Sequence, residues 1–193
     1  MAQPSPEADA YSVLEGQVRE CFGRVVYSHK THEKDADLCG GTLRNIKLIQ
    51  IILGAITASG AVAVIFADAI LLKVATAGVS LVTLGLTGYM KGFDPGASAQ
   101  KHRDTAADLW AIREAYLSLL TDIVARRLSL EDVCTKRDEL QAALGSIYKS
   151  APHTTPKAYG LAQTALQRDE EYTFNDGEID KFLPRDLRRD TRK

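Results

Sequence analysis

The sequence predicts an all-α fold: a two-helix transmembrane hairpin flanked by an N-terminal amphipathic helix and a C-terminal cytoplasmic helical bundle. Three observations predict it. From Ile46 to Tyr89 the chain is apolar, with Lys47, Asp68 and Lys73 as its only charges. This run is roughly twice the 20 or so residues that one helix needs to cross a bilayer, so the chain turns back inside it. On either side of the run, apolar residues recur every three or four positions among charged ones, the period of an amphipathic helix.

The hairpin divides at Asp68. Ile46 to Ala67 and Ala69 to Tyr89 are each of spanning length, which makes Asp68 the expected apex. Large aliphatic and aromatic residues gain roughly 0.3 to 0.6 kcal/mol each on insertion, whereas a central Lys costs roughly 2.5 to 3.5 kcal/mol. Neither Lys is central: Lys47 opens the first span and Lys73 lies about one turn from the apex, so both ammonium groups reach the headgroups on their long stems. Lys30, Lys34, Arg44 and Lys47 precede the first span and Lys91, Lys101 and Arg103 follow the second, against Lys73 alone near the apex. The positive-inside bias therefore places both termini in the cytoplasm. The alternative is a buried helix pair in a soluble bundle, which needs more surrounding helix than the flanks offer.

Small residues pattern both spans. Thr76, Ser80, Thr83 and Thr87 fall on one face of the second, with Gly78 and Gly85 opposite. In the first, Gly54, Ala58 and Ala61 share a face with Gln50 and Thr57. Small faces let membrane helices approach closely. Gly54, Ala58, Ala61, Gly78 and Gly85 are the expected packing residues, within the hairpin or between copies. Two readings of the hydroxyl stripe compete: it lines a pore in an oligomer, or its hydroxyls bond back to their own helix and seal the hairpin. No charged ring marks a selectivity filter.

Residues 1–10 carry Pro, Ser and acid and are expected to be disordered. Residues 11–193 form a single domain. Its N-terminal helix takes its stripe from Leu14, Val18, Cys21, Phe22 and Val25 and runs to Cys39, with Gly40-Gly41 (residues 11–41) as stop or hinge. His29 and His32 on this helix, with Cys39 beyond, make a poor metal set and are expected to be solvated. After the exit loop, with Asp94-Pro95-Gly96 as its turn, the cytoplasmic helices occupy residues 98–183. The first runs from Ser98 to Leu128, and the second from Leu130 to Lys149 behind a Ser129 cap. The third is opened by Thr155 and Pro156, and a short fourth spans Gly177 to Leu183. Residues 184–193 are a basic tail.

Length and charge exclude other classes. At 193 residues and net charge -1 the chain suits one compact unit and gives no argument for nucleic acid as a partner. The three cysteines lack metal or redox spacing and suit a reducing compartment. MAQPSPEADA has neither the basic nor the apolar region of a signal peptide. Phosphate-loop, GxGxxG, GxSxG, HExxH and CxxC signatures are absent, so the expectation is no enzyme, no metal and no cofactor.

The order of these elements, with Tyr27-Ser-His-Lys on the first helix, Ala-Pro-His-Thr-Thr-Pro-Lys-Ala-Tyr ending at Tyr159, and Glu178-Ile-Asp-Lys-Phe-Leu-Pro-Arg185, resembles the SLATT family. These are bacterial two-transmembrane effector domains found alongside nucleotide second-messenger synthetases (SMODS) and SLOG ligand-binding domains. The resemblance implies a membrane effector of an anti-phage or nucleotide-signal system that assembles in the inner membrane and opens it on activation. It also implies partners in the lipid bilayer, further copies of the chain, and a SMODS synthetase, SLOG-type sensor or reverse transcriptase from the same locus. The alternative function is a membrane-anchored adaptor whose cytoplasmic helices recruit a partner protein.

Overall fold

The computed structural model describes residues 6–66, 69–185 and 188. Among them every regular element is a helix: α1 (Pro6–Phe66), α2 (Ile70–Phe93), α3 (Pro95–Val124), α4 (Leu130–Ser150), α5 (Pro156–Gln167) and α6 (Asp176–Phe182). Asp68, the expected apex, lies outside the described residues, as do Arg189, Arg192 and Lys193 of the basic tail.

The spine of the molecule is α1, whose 61 residues extend about 90 Å. Two expectations change here. Helix begins at Pro6, inside the stretch expected to be disordered, and Pro suits the first helical position because its missing N–H has no partner there anyway. Gly40-Gly41 does not stop the helix, which runs through both glycines. Each glycine costs about 1 kcal/mol of helix propensity, but helices packed along the N-terminal half of α1 hold it in register. A Cβ on Gly40 would stand 3.4 Å from the Arg103 guanidinium of α3, and one on Gly41 would meet nothing within 4 Å.

The link between α2 and α3 is one residue rather than a loop. Asp94 takes a left-handed conformation (φ 32°) and ends α2 by donating its backbone N–H to the Met90 carbonyl. Its side chain then accepts from the Ala97 N–H at 2.9 Å, which caps α3 ahead of Pro95. The exit loop expected between Lys91 and Ser98 is consequently helix on both sides of Asp94. The other caps form as the sequence indicates: Ser129 accepts from Asp132 N–H, and Thr155 from Ala158 N–H. Asn175 and Glu178 close a capping box on α6.

Below the hairpin, α3 and α5 run antiparallel to α1, and α4 runs parallel to it. The Tyr11 hydroxyl donates to the Leu128 carbonyl at 2.7 Å at one end of the α1–α3 pair, and His32 meets His102 at the other. Along α4, Arg137 donates to Gln17 and Tyr148 to Ser28. The apolar core comprises Tyr11, Val18 and Val25 of α1, Leu109, Ile112, Tyr116, Leu119 and Ile123 of α3, and Val133 of α4.

Candidate functional site: the hairpin and the polar layer beneath it

In the hairpin, α1 and α2 meet along one seam. Gln50, Leu53, Thr57, Gly60 and Val64 are among the partly covered residues of α1, at helical spacing, and Leu72, Thr76, Val79, Thr83 and Leu86 among those of α2. Gly60 makes the close approach: a Cβ there would stand 2.6 Å from the Thr76 hydroxyl. Nothing in the residue spacing distinguishes Gly60, because closeness to Thr76 depends on register. Gly54, Gly78 and Gly85 instead face open space, as do Ala58 and Ala61, so none of the five expected packing residues packs within its own hairpin.

The hydroxyl stripe divides between two surroundings. Thr76 and Thr83 sit in the seam, while Ser80 and Thr87 are exposed. All four donate to the carbonyl four residues back, on Leu72, Thr76, Val79 and Thr83, at 2.9 to 3.0 Å. Across the helices, Gln50 Nε2 donates to the Thr87 hydroxyl at 3.2 Å. The Thr57 hydroxyl is buried with no hydrogen-bond partner among the described residues. Both spans carry windows long and apolar enough to cross a membrane, and no residue of either window is buried. A soluble core helix would have its apolar window covered.

Between the hairpin and the apolar core lies a layer of buried polar side chains: His29, Lys30, Thr31, His32 and Asp35 of α1, with His102 and Thr105 of α3. The histidines expected to be solvated are therefore enclosed, because α3 and the segment after α5 cover their face. His32 and His102 face each other at 3.0 Å between their Nδ1 atoms, so one donates and the other accepts. Burial, followed by the neighbouring His102, pushes His32 down to about 4, and burial lowers His102 as well. Asp35, 2% exposed, accepts from the backbone N–H and hydroxyl of Thr155 at 2.9 and 2.7 Å. It thereby fixes the start of α5 against α1.

The loop after α5 closes the layer from outside. The Tyr172 hydroxyl donates to Glu33 at 2.6 Å, its ring stacks on His29, and Lys30 and Arg113 each lie 4.6 Å from the ring centre. Glu171 bridges Lys30 and Lys34. Burial would lower the Lys30 ammonium, but its bonds to Glu171 and Glu33 outweigh that and raise it. Burial likewise opposes the Glu33 charge, and the Tyr172 and Lys30 hydrogen bonds reverse the effect and lower it. Sequence spacing signals Lys30 with Glu33 as neighbours on one helix face, but nothing local announces Glu171 or Tyr172. Among the described residues no three His, Cys, Asp or Glu side chains are grouped to hold a metal ion.

The chain matches the SMODS and SLOG-associating 2TM effector domain family 4 over residues 14–178. It belongs to that family. As a SLATT family 4 member it is a two-transmembrane effector domain, a membrane protein associated with nucleotide-signalling and defence systems, and effector domains of this kind are not a known catalytic family. The SLATT match spans both the hairpin and the polar layer. No curated protein and no solved structure matches the chain.

Proposed function

We propose that the protein is an effector of a bacterial nucleotide-signal or anti-phage defence system that oligomerises through its hairpin and permeabilises the inner membrane on activation. The observation that carries this reading is the hairpin's outer surface. No residue of its two apolar windows is buried, and the small residues Gly54, Ala58, Gly78 and Gly85 point outward, where another copy can approach closely. Exposed Ser80 and Thr87 supply the hydroxyl face of the lumen, and Thr76 and Thr83 seal each hairpin behind them. Because each hydroxyl proton is already donated to the backbone, the lumen presents oxygen lone pairs and discriminates weakly among ions. Both termini lie in the cytoplasm, following the Lys and Arg distribution. The trigger comes through a SMODS synthetase, SLOG-type sensor or reverse transcriptase from the same locus.

The test is dye leakage from liposomes containing the full-length chain, alongside growth arrest on expression. Ser80→Leu is expected to cut leakage at unchanged membrane content, and unchanged leakage would remove Ser80 from the lumen. A membrane-anchored adaptor is the second reading, favoured by the groove where Phe22, half-exposed Leu117 and exposed Phe174 leave apolar surface beside α5. Exchange of the hairpin for an unrelated two-span anchor separates them: an adaptor keeps its activity, a pore loses it.

A further inference from the structure

Between α1, α3 and the loop that follows α5 lies an open cavity of about 810 Å³, a size typical of small-molecule sites. Its walls carry the cations Lys30, Lys34, Arg103 and Arg113 and the carboxylates Glu33, Asp37 and Glu171. Two of the cations are under-used. Among the described residues no carboxylate stands within ion-pair distance of Arg103, and Lys34 shares its one acid, Glu171, with Lys30. Trp110 forms part of the wall with 52% of its surface exposed, a flat aromatic face on which no ring of the described residues stacks.

Glu171 differs from the other wall carboxylates in where it comes from. Glu33 and Asp37 belong to α1, whereas Glu171 reaches in from the α5–α6 loop, directly after Glu170 in the left-handed region (φ 49°). A non-glycine residue held there is strained by about 1 kcal/mol or more. Its two oxygens occupy Lys30 and Lys34 as the oxygens of a bound anion would. With Glu171 withdrawn, four wall cations face two carboxylates.

We propose that this cavity is a regulatory site for a soluble phosphorylated ligand bearing a planar ring. Its phosphate oxygens replace the Glu171 carboxylate on Lys30 and Lys34 and reach Arg103, while the ring lies on Trp110. Expelling Glu171 also dislodges the adjoining Tyr172 from Glu33 and His29, which loosens the α5–α6 loop from the helix that continues into the membrane. A lipid headgroup is the poorer fit. Asp37, the α1 wall residue closest in sequence to the span, lies nine residues before Ile46, about 14 Å along the helix. The coupling to membrane opening rests on the pore reading above, but the binding does not.

Trp110 is the only tryptophan in the chain, so its emission reports this cavity directly. The experiment titrates the full-length protein, in phosphatidylcholine nanodiscs, with adenosine and guanosine monophosphates, with inorganic pyrophosphate as the ringless comparison. The expected result is a saturable change in Trp110 emission with at least one nucleotide. Arg103→Gln and Lys34→Gln each weaken binding by about tenfold. Glu171→Gln, which removes the competing carboxylate, tightens it. The proposal is overturned if neither wild type nor Glu171→Gln saturates up to about 1 mM, if Glu171→Gln binds no tighter, or if a response requires anionic-lipid discs. Leakage is read in parallel. Binding without leakage upholds the site and counts against the pore, whereas leakage from a chain that binds no nucleotide does the reverse.

Discussion

Tyr172 shows how much of the polar layer depends on single groups. Its hydroxyl serves a carboxylate, a bond worth more than a neutral one, although partial exposure of Glu33 weakens it. Tyr172→Phe is expected to cost about 1 kcal/mol in a denaturant titration while leaving the ring contacts with Lys30 and Arg113 in place. Thr57 is the opposite case. Its buried hydroxyl has no partner among the described residues, so Thr57→Val is expected to leave the thermal midpoint unchanged or to raise it. The buried histidines set a pH dependence. His32 binds its proton more weakly in the fold than in the unfolded chain, so between 6.5 and about 4 the unfolded chain holds the extra proton. Acidification through that window is therefore expected to lower the thermal midpoint. His32→Gln and His102→Gln together should flatten the dependence. His29 and His32 were visible in the sequence as residue types on one helix, but their burial was not, since it is imposed by α3 and the α5–α6 loop from 70 or more residues away.

At the scale of elements, the helices were legible wherever the period and the caps were local. Ser129 and Thr155 set the starts of α4 and α5 by accepting from backbone N–H groups three residues on, and Pro156 suits the first position of α5, which any reading of spacing finds. The two breaker signals fare differently. Gly40-Gly41 costs about 1 kcal/mol per glycine, which packing along α1 exceeds, whereas Asp94 does break the helix and Pro95 sits at the first position of α3, so only the length of the expected loop changes. Gly41→Ala is accordingly expected to stabilise the bundle by about 0.5 to 1 kcal/mol, because no atom lies within 4 Å of the added methyl. A hinge at that site would instead show as lost activity with no gain in stability. Asp94 does two jobs, so Asp94→Gly keeps the left-handed turn and loses only the cap, whereas Asp94→Ala loses both. The thermal midpoint should fall further for the alanine variant.

For the whole molecule, α1 joins what the sequence presents as separate parts. One uninterrupted helix begins beside the apolar core, passes through the polar layer and ends in the hairpin, so a change at the polar layer has a continuous path to the spans. Alkaline carbonate extraction of membranes is expected to leave the full-length chain in the pellet. Recovery in the supernatant would reduce the hairpin to a peripheral contact. The sequence by itself determined the all-helical class, the existence and length of the two apolar spans, and the family. The class and the spans follow from residue type and spacing along the chain, through hydrophobic periodicity and the thickness of a bilayer, and the family from the resemblance carried by Tyr27-Ser-His-Lys and the segment ending at Tyr159. The tertiary structure alone decided which small residue lets the spans touch, which hydroxyls face outward, and which side chains enclose the cavity beside Trp110. Those are matters of register and of contacts between distant segments, and local pattern carries no information about either.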